Sequence, residues 1–196
     1  MEADTLPRRE RILSAAAHFL ALHDGHVEIA EVAERSESAV GSVYRYFDSK
    51  AALLSAVVEG FYRRLAAALA MQSLAPDGDW AERERERIGR YVRFCYDEPL
   101  APVVLAGRVE TPGAARFAAE MAAQQAAQFA RNVRQGQSRG QVPKSVNADA
   151  AGAMVVGGAR QAVLFALAQR PTPGPDQVAA TVWAFVSRIV QVDTPA

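Results

Sequence analysis

Residues 30–50 read Ala30-Glu-Val-Ala-Glu-Arg-Ser-Glu-Ser-Ala-Val-Gly-Ser-Val-Tyr-Arg-Tyr-Phe-Asp-Ser-Lys50, and the fold turns on how this stretch is parsed. Its apolar spacing predicts a short helix through Ile29–Arg35, a polar turn at Ser36-Glu37-Ser38 and a second short helix through Phe47. Asp48 is a suitable N-cap for a longer helix that starts at Ser49-Lys50 and runs past Leu69. Two short helices about a tight turn form a helix-turn-helix, whose second helix can enter the DNA major groove. Such a helix needs small residues at its leading end, here Ala39, Val40, Gly41 and Ser42, and hydrogen-bond donors at its flank, here Tyr44, Arg45, Tyr46 and Lys50. Tyrosine hydroxyls and an ammonium suit phosphate oxygens, and Lys50 also falls at a helix start whose amides favour an anion.

Outward from this block the chain stays helical. Thr5 and Pro7 open a first helix with Ile12, Ala16, Phe19 and Leu20 on one face, ending before Asp24-Gly25. The helix after Lys50 keeps a 3.6-residue apolar period through Leu53, Leu54, Val57, Val58, Phe61 and Leu65. A Pro-Gly breaker at 74–79 follows, with Asp79 placed to cap the next helix. That helix begins with an alternating Glu/Arg run at 82–87, expected to be a solvated helix start, with Glu86–Arg90 as an i,i+4 pair. Its apolar face follows at Ile88, Tyr91, Val92 and Cys95. Further helices are expected near 102–109, 113–135 (stopped by Gly136 and Gly140), 147–169 (capped by Asn147 or Ser145) and 176–191. Strand-like alternation is almost absent, so the expected fold class is all-α with about nine helices. A helix-turn-helix domain over 1–48 would precede a helical domain over 49–196, joined through the helix at 49–72.

The 196-residue chain is 50% hydrophobic, which suits one or two packed domains and excludes a disordered chain. Its 22 basic and 22 acidic side chains cancel, but residues 1–60 hold six basic and ten acidic, a local charge of −4. That runs against a nucleic-acid face and predicts modest non-specific affinity. A single cysteine, Cys95, excludes an intrachain disulfide and a multi-thiolate metal site, and its apolar face makes it a core residue. The first residues lack an apolar signal, and Arg160 and Gln161 interrupt the apolar stretch at 150–168. A cytoplasmic protein with no membrane span is expected.

The block Gly41-Ser-Val-Tyr-Arg-Tyr-Phe-Asp-Ser-Lys50 with Ala51-Ala-Leu-Leu54 resembles the signature of TetR-family transcriptional regulators. Arg11-Ile-Leu-Ser-Ala-Ala16, Phe19 and Val32-Ala33 fit the same pattern, so the resemblance covers about residues 8–62. It implies a homodimer whose N-terminal three-helix domains bind a palindromic operator, while the remaining helices bind a small ligand and dimerise. The chain departs from the family at three positions: Glu37 stands where glycine is usual, Ala39 where serine is usual, and Ile29 where a phosphate-binding threonine is frequent. Ser38 is then expected to take over the cap of the second short helix.

Other residues were candidates for chemistry. His18, His23 and His26 with Asp24 are the only metal-like grouping, and their spacing about a helix end does not converge, so no metal is expected. Arg131, Arg134, Arg139 and Lys144 read as cations that complement a helix end. No nucleophile elbow, phosphate-cradling glycine loop or His-Glu-x-x-His motif is present, so neither an enzyme nor a cofactor is expected. Phe94, Phe117, Met121 and Phe165 are the expected apolar wall of an effector pocket, with Tyr91, Gln124, Gln125 and Arg160 beside them. Arg160 could instead meet an acid across a subunit interface. Dimerisation is expected through 147–169 and 176–191, where Ala150, Ala151, Ala153, Gly157, Gly158 and Ala159 allow close approach beside Val182, Phe185, Val186, Ile189 and Val190. These features point to a repressor released by a small, largely apolar ligand. The alternatives are a DNA-binding protein governed by a protein partner and, in another class, an all-α enzyme or adaptor with an incidental helix-turn-helix.

Overall fold

A computed structural model describes residues 7–70 and 79–191. Thr5 and most of the 74–79 breaker lie outside the described residues. Nine α-helices and no strands occur among those described: α1 (Arg8–Leu22), α2 (Ile29–Arg35), α3 (Val40–Tyr46), α4 (Lys50–Leu69), α5 (Trp80–Asp97), α6 (Ala101–Leu105), α7 (Pro112–Ser138), α8 (Ala148–Ala168) and α9 (Pro175–Ile189). The all-α expectation is met. Packing divides the chain into two compact units, the first formed by the described residues of Met1–Arg64 with Glu98–Ala119, the second by Leu65–Asp97 with Glu120–Ala196.

In the first unit α1 packs on α2 and α2 on α3, with Ile12, Ala16, Leu20, Val32 and Val43 buried; Leu53, Val57 and Phe61 of α4 are buried as well. Leu100, Val103, Val104 and Leu105 bring α6 into this core. The end of α1 explains that docking. Gly25 has φ +98, and a Cβ there would stand 2.4 Å from the Arg108 carbonyl oxygen, so only glycine permits this approach. The Arg108 guanidinium also pairs with Asp24. Farther along, Ser55 and Thr111 share a hydroxyl contact of 3.2 Å, and Thr111 caps α7 by accepting from the Ala114 amide at 3.0 Å.

In the second unit α5 packs most extensively on α9, and α8 on both. Trp80, Val92, Phe129, Val133, Val163, Val182, Trp183 and Val186 fill the interior. Gly152 of α8 sits against the Ala126 carbonyl of α7, where a Cβ would stand 2.3 Å from the oxygen. Asp79 caps α5 by accepting from the Glu82 amide at 3.1 Å, and Asn147 caps α8 through the Asp149 and Ala150 amides, both at 3.1 Å. Cys95 is buried as expected. By length and composition alone α8 could cross a membrane, its most apolar window having mean hydropathy 1.5.

Several local expectations are corrected. Ser49, not Asp48, caps α4, its hydroxyl accepting from the Ala52 amide at 3.0 Å. Ser38 does not cap α3; its hydroxyl donates back to the Ser36 carbonyl at 3.2 Å, leaving Ala39 as an N-cap with no side-chain bond. The helix expected to stop at Gly136 continues to Ser138; Gly136 lies within it, buried against Trp80 and Val142, where a Cβ would clash. The Glu/Arg run at 82–87 is not wholly solvated, since Glu84 is only 2% exposed.

Candidate nucleic-acid interface

The turn before α3 is built by side chains that bond backward. Ser36 is buried and its hydroxyl donates to the Ala33 carbonyl at 3.3 Å, while its own carbonyl accepts from Arg11 Nε at 3.4 Å. The chain then reverses at Glu37 with φ +51, in the left-handed region where the family's usual glycine is at ease. From this turn α3 is aimed by one anchor, Val43, which is buried, while Phe47 closes the core just beyond the helix.

Most of the rest of α3 is presented outward. Val40, Tyr44 and Tyr46 are 45%, 46% and 41% exposed, unusual for apolar and aromatic residues on so short a helix. Ala39, Gly41 and Arg45 are exposed and Ser42 is half-buried. A Cβ at Gly41 would meet nothing within 4 Å, so that glycine opens the face rather than tightening the packing. The Arg45 guanidinium lies 5.6 Å from the Tyr46 ring centroid. Arg9 stands 5.2 Å from the ring of Phe47. Lys50 opens α4 with its Nζ 3.7 Å from Glu28 Oε1. The predicted DNA-facing residues therefore gather on one unit. Glu28, Glu34, Glu37 and Asp48 are also exposed, in keeping with the acidic balance of the first 60 residues.

The residues expected to bind an effector are more dispersed. Tyr91 and Phe94 on α5, Met121 and Gln125 on α7, and Arg160 on α8 are half-buried, whereas Gln124 is exposed. Phe117 belongs to the first unit, 6.0 Å from the ring of Tyr62. Phe165 is 68% exposed and does not wall an enclosed space within one chain. A groove of about 550 Å³ between α5 and α9 is lined instead by residues that include Arg85, Arg93, Asp176 and Trp183. His18 stacks edge-on with Phe19, and His23 faces Glu31 at 3.9 Å; no cluster of three metal-capable side chains occurs among the described residues.

Glu84 was missed as a site of interest. On α5 it follows Trp80 by four residues and precedes Ile88 by four, so helical period alone places it on the buried stripe. Its carboxylate accepts from Arg87 at 3.1 Å and from Asn132 Nδ2 at 3.0 Å, while the Asn132 carbonyl accepts from Trp80 Nε1 at 2.8 Å. Burial pushes its pKa up, opposed by Arg87, Arg83 and the Asn132 hydrogen bond.

Residues 12–57 match the model of a family described as bacterial regulatory proteins, tetR family. No curated protein matches the chain in sequence. Among solved structures, a TetR-family transcriptional regulator from Rhodococcus sp. superposes with a TM-score of 0.80 at 16% identity, covering 93% of this chain and 98% of that one. A bacterial regulatory protein in the tetR family from Rhodococcus RHA1 gives 0.78 at 21% identity, over 97% and 100%. RolR in complex with the ligand resorcinol gives 0.61 at 21%, over 96% and 95%. At these identities the likeness is one of fold. The match at residues 12–57 falls on the helix-turn-helix with the open α3 face, and the fold of nearly the whole chain is shared with tetR-family structures.

Proposed function

We propose that the protein is a repressor that binds a palindromic operator as a homodimer and is released by a small, largely apolar ligand. The observation that carries the DNA-binding part is the outward face of α3, where Val40, Gly41 and Tyr44 stand open beside Arg45, Tyr46 and Lys50. In this reading Tyr44, Tyr46 and Lys50 hold phosphates, while Ala39, Val40, Gly41, Ser42 and Arg45 meet base edges.

The dimer reading rests on α8 and α9. Met154, Phe165 and Phe185 are 60%, 68% and 54% exposed, and Gly157 has open space where a Cβ would be. Met154, Gly157, Gln161 and Phe165 recur at helical spacing along one face of α8. This refines the sequence expectation: Val182, Val186 and Val190 are buried within their own chain, so the contact falls to Phe185 and the α8 stripe. Covered by a second copy, that surface supplies the apolar centre of a lasting interface. A neighbour solved with resorcinol favours a small molecule over a protein as effector. Half-buried Tyr91, Phe94, Met121 and Gln125, with Arg160, remain its proposed surroundings. Such a ligand must bind the released conformation more tightly than the operator-bound one, because equal affinity shifts nothing.

Selection of duplexes from a randomised pool by the full chain tests the reading. Recovered sites should carry two inverted half-sites about one helical turn apart, with two chains bound per duplex. Sites with no inverted symmetry, or one chain per site, would overturn it.

A further inference from the structure

Lys50, the cation that opens α4, already has an anion. Glu28 Oε1 stands 3.7 Å from its Nζ, with the Lys50 side chain 44% exposed and that of Glu28 78% exposed. An isolated surface pair of this kind is worth little, because two long side chains must be ordered to make it. Glu28 is better held than most. It is the N-cap of α2, and a reciprocal capping box ties it down: its side chain accepts from the Glu31 amide, while Glu31 Oε2 accepts from the Glu28 amide at 3.3 Å. Much of the ordering cost of the carboxylate is thereby met by the helix cap.

We propose that Glu28 is an internal competitor for the DNA phosphate that Lys50 holds, so that docking exchanges one anion for another at this cation. The proposal rests on the reading of Lys50 as a phosphate contact given above. Its consequence is a uniform weakening. Phosphate neutralisation contributes to the binding of every sequence, so Glu28 lowers affinity for operator and random duplex alike and leaves their ratio unchanged. Because salt screens an exposed pair, the competition fades as ionic strength rises, and the wild-type protein has a shallower salt dependence than a chain without the carboxylate.

Two variants remove the charge and keep the cap: Glu28→Gln retains a carbonyl for the Glu31 amide, and Glu28→Asn is a shorter residue favoured at N-caps. Binding of the full-length chain to its selected operator and to a random duplex is measured from about 50 to about 300 mM KCl. The comparison set is Lys50→Ala, the double variant Glu28→Gln/Lys50→Ala, and Glu34→Gln as a control for one lost charge on the same helix. At the lowest salt Glu28→Gln should tighten both duplexes by about two- to fivefold, and the gain should shrink with salt. In the Lys50→Ala background that gain should fall to the size seen for Glu34→Gln. A Glu28→Gln gain no larger than the Glu34→Gln gain, or one that persists undiminished without Lys50, would overturn the competition while leaving Lys50 as a phosphate contact. Unchanged affinity and salt slope in Lys50→Ala would remove Lys50 from the DNA contact, and the proposal with it.

Discussion

Two charged groupings, one in each unit, are handled in opposite ways. In the first, Lys50, Glu28, Arg45 and Glu37 stand at the surface around a reading helix seven residues long. In the second, Glu84 is taken inside and satisfied by Arg87 from its own helix and by Asn132 from α7. The first arrangement leaves the cations free to exchange partners with a polyanion at little cost. The second ties α5 to α7 at the cost of desolvating a carboxylate, so any disturbance of the network is felt as stability.

The contrast is broken most forcefully from the inside. Arg87→Met would leave the Glu84 carboxylate buried without its ion-pair partner, which costs about 3 kcal/mol, the low end for such a loss because Arg83 and Asn132 remain. Urea unfolding should register that loss, and a change below about 0.5 kcal/mol would show that the pair is not holding the second unit. Its pH dependence has a definite sign. The folded state holds the Glu84 proton more tightly than the unfolded chain does, so this residue's contribution to stability falls as pH rises through its ordinary range towards its raised value. Glu84→Gln cannot titrate. Its stability relative to wild type should therefore improve as pH rises through and above the ordinary carboxylate range, and a parallel pair of curves would refute the assignment.

The second unit also carries an exposed apolar stripe, and charging it sharpens the comparison. Phe165→Asp should weaken self-association by about 2 kcal/mol or more, as expected for an aromatic anchor at an interface centre. Sedimentation at micromolar concentration should then show monomers, with helix content unchanged. A variant that still sediments as a dimer would move the interface elsewhere.

The DNA-facing surface should respond more gently. Lys50→Ala should weaken operator and random duplex together by about 1 kcal/mol and flatten the salt dependence by about one unit of slope. Loss confined to the operator would make Lys50 a base-reading residue instead.

How much of this could be read in advance follows from how far apart the interacting residues lie. The helix-turn-helix was legible because its parts sit within 25 residues, and its anchors Val32, Val43 and Phe47 are buried. Asp79 and Asn147 were legible as caps for the same reason, a cap being a local bond. Ser38 and Asp48 misled because serines and aspartates are interchangeable as cap candidates; after the turn at Glu37 the Ser38 hydroxyl bonds back to the Ser36 carbonyl, and it is Ser49 that meets the Ala52 amide. Glu84 was misread because charge was given more weight than period; its partner Asn132 lies 48 residues away. Val182 and Val186 looked available for a partner because sequence shows that a stripe is apolar but not which of two surfaces covers it.

The smallest effect is expected at Glu37, where the first unit departs from the tetR pattern it resembles and the backbone records the consequence. Its φ of +51 places a β-carbon in the left-handed region, at a cost of about 1–2 kcal/mol that glycine does not incur. Glycine in turn loses more chain entropy on folding, which offsets about 0.5–1 kcal/mol of the gain. The net effect of Glu37→Gly is therefore a stabilisation of about 0.5–1 kcal/mol, read as a rise of a few degrees in melting temperature. The same change removes a negative charge from a unit already rich in acids, close in sequence to α3. Operator binding should tighten slightly at low salt, with the gain fading as salt rises. Glu37→Gln separates the two contributions, since it removes the charge and keeps the β-carbon. It should reproduce the affinity gain without the thermal one. A glycine variant that melts lower than wild type would mean that the Ser36 and Ser38 hydrogen bonds already relieve the turn, and the strain assigned to Glu37 would have to be withdrawn.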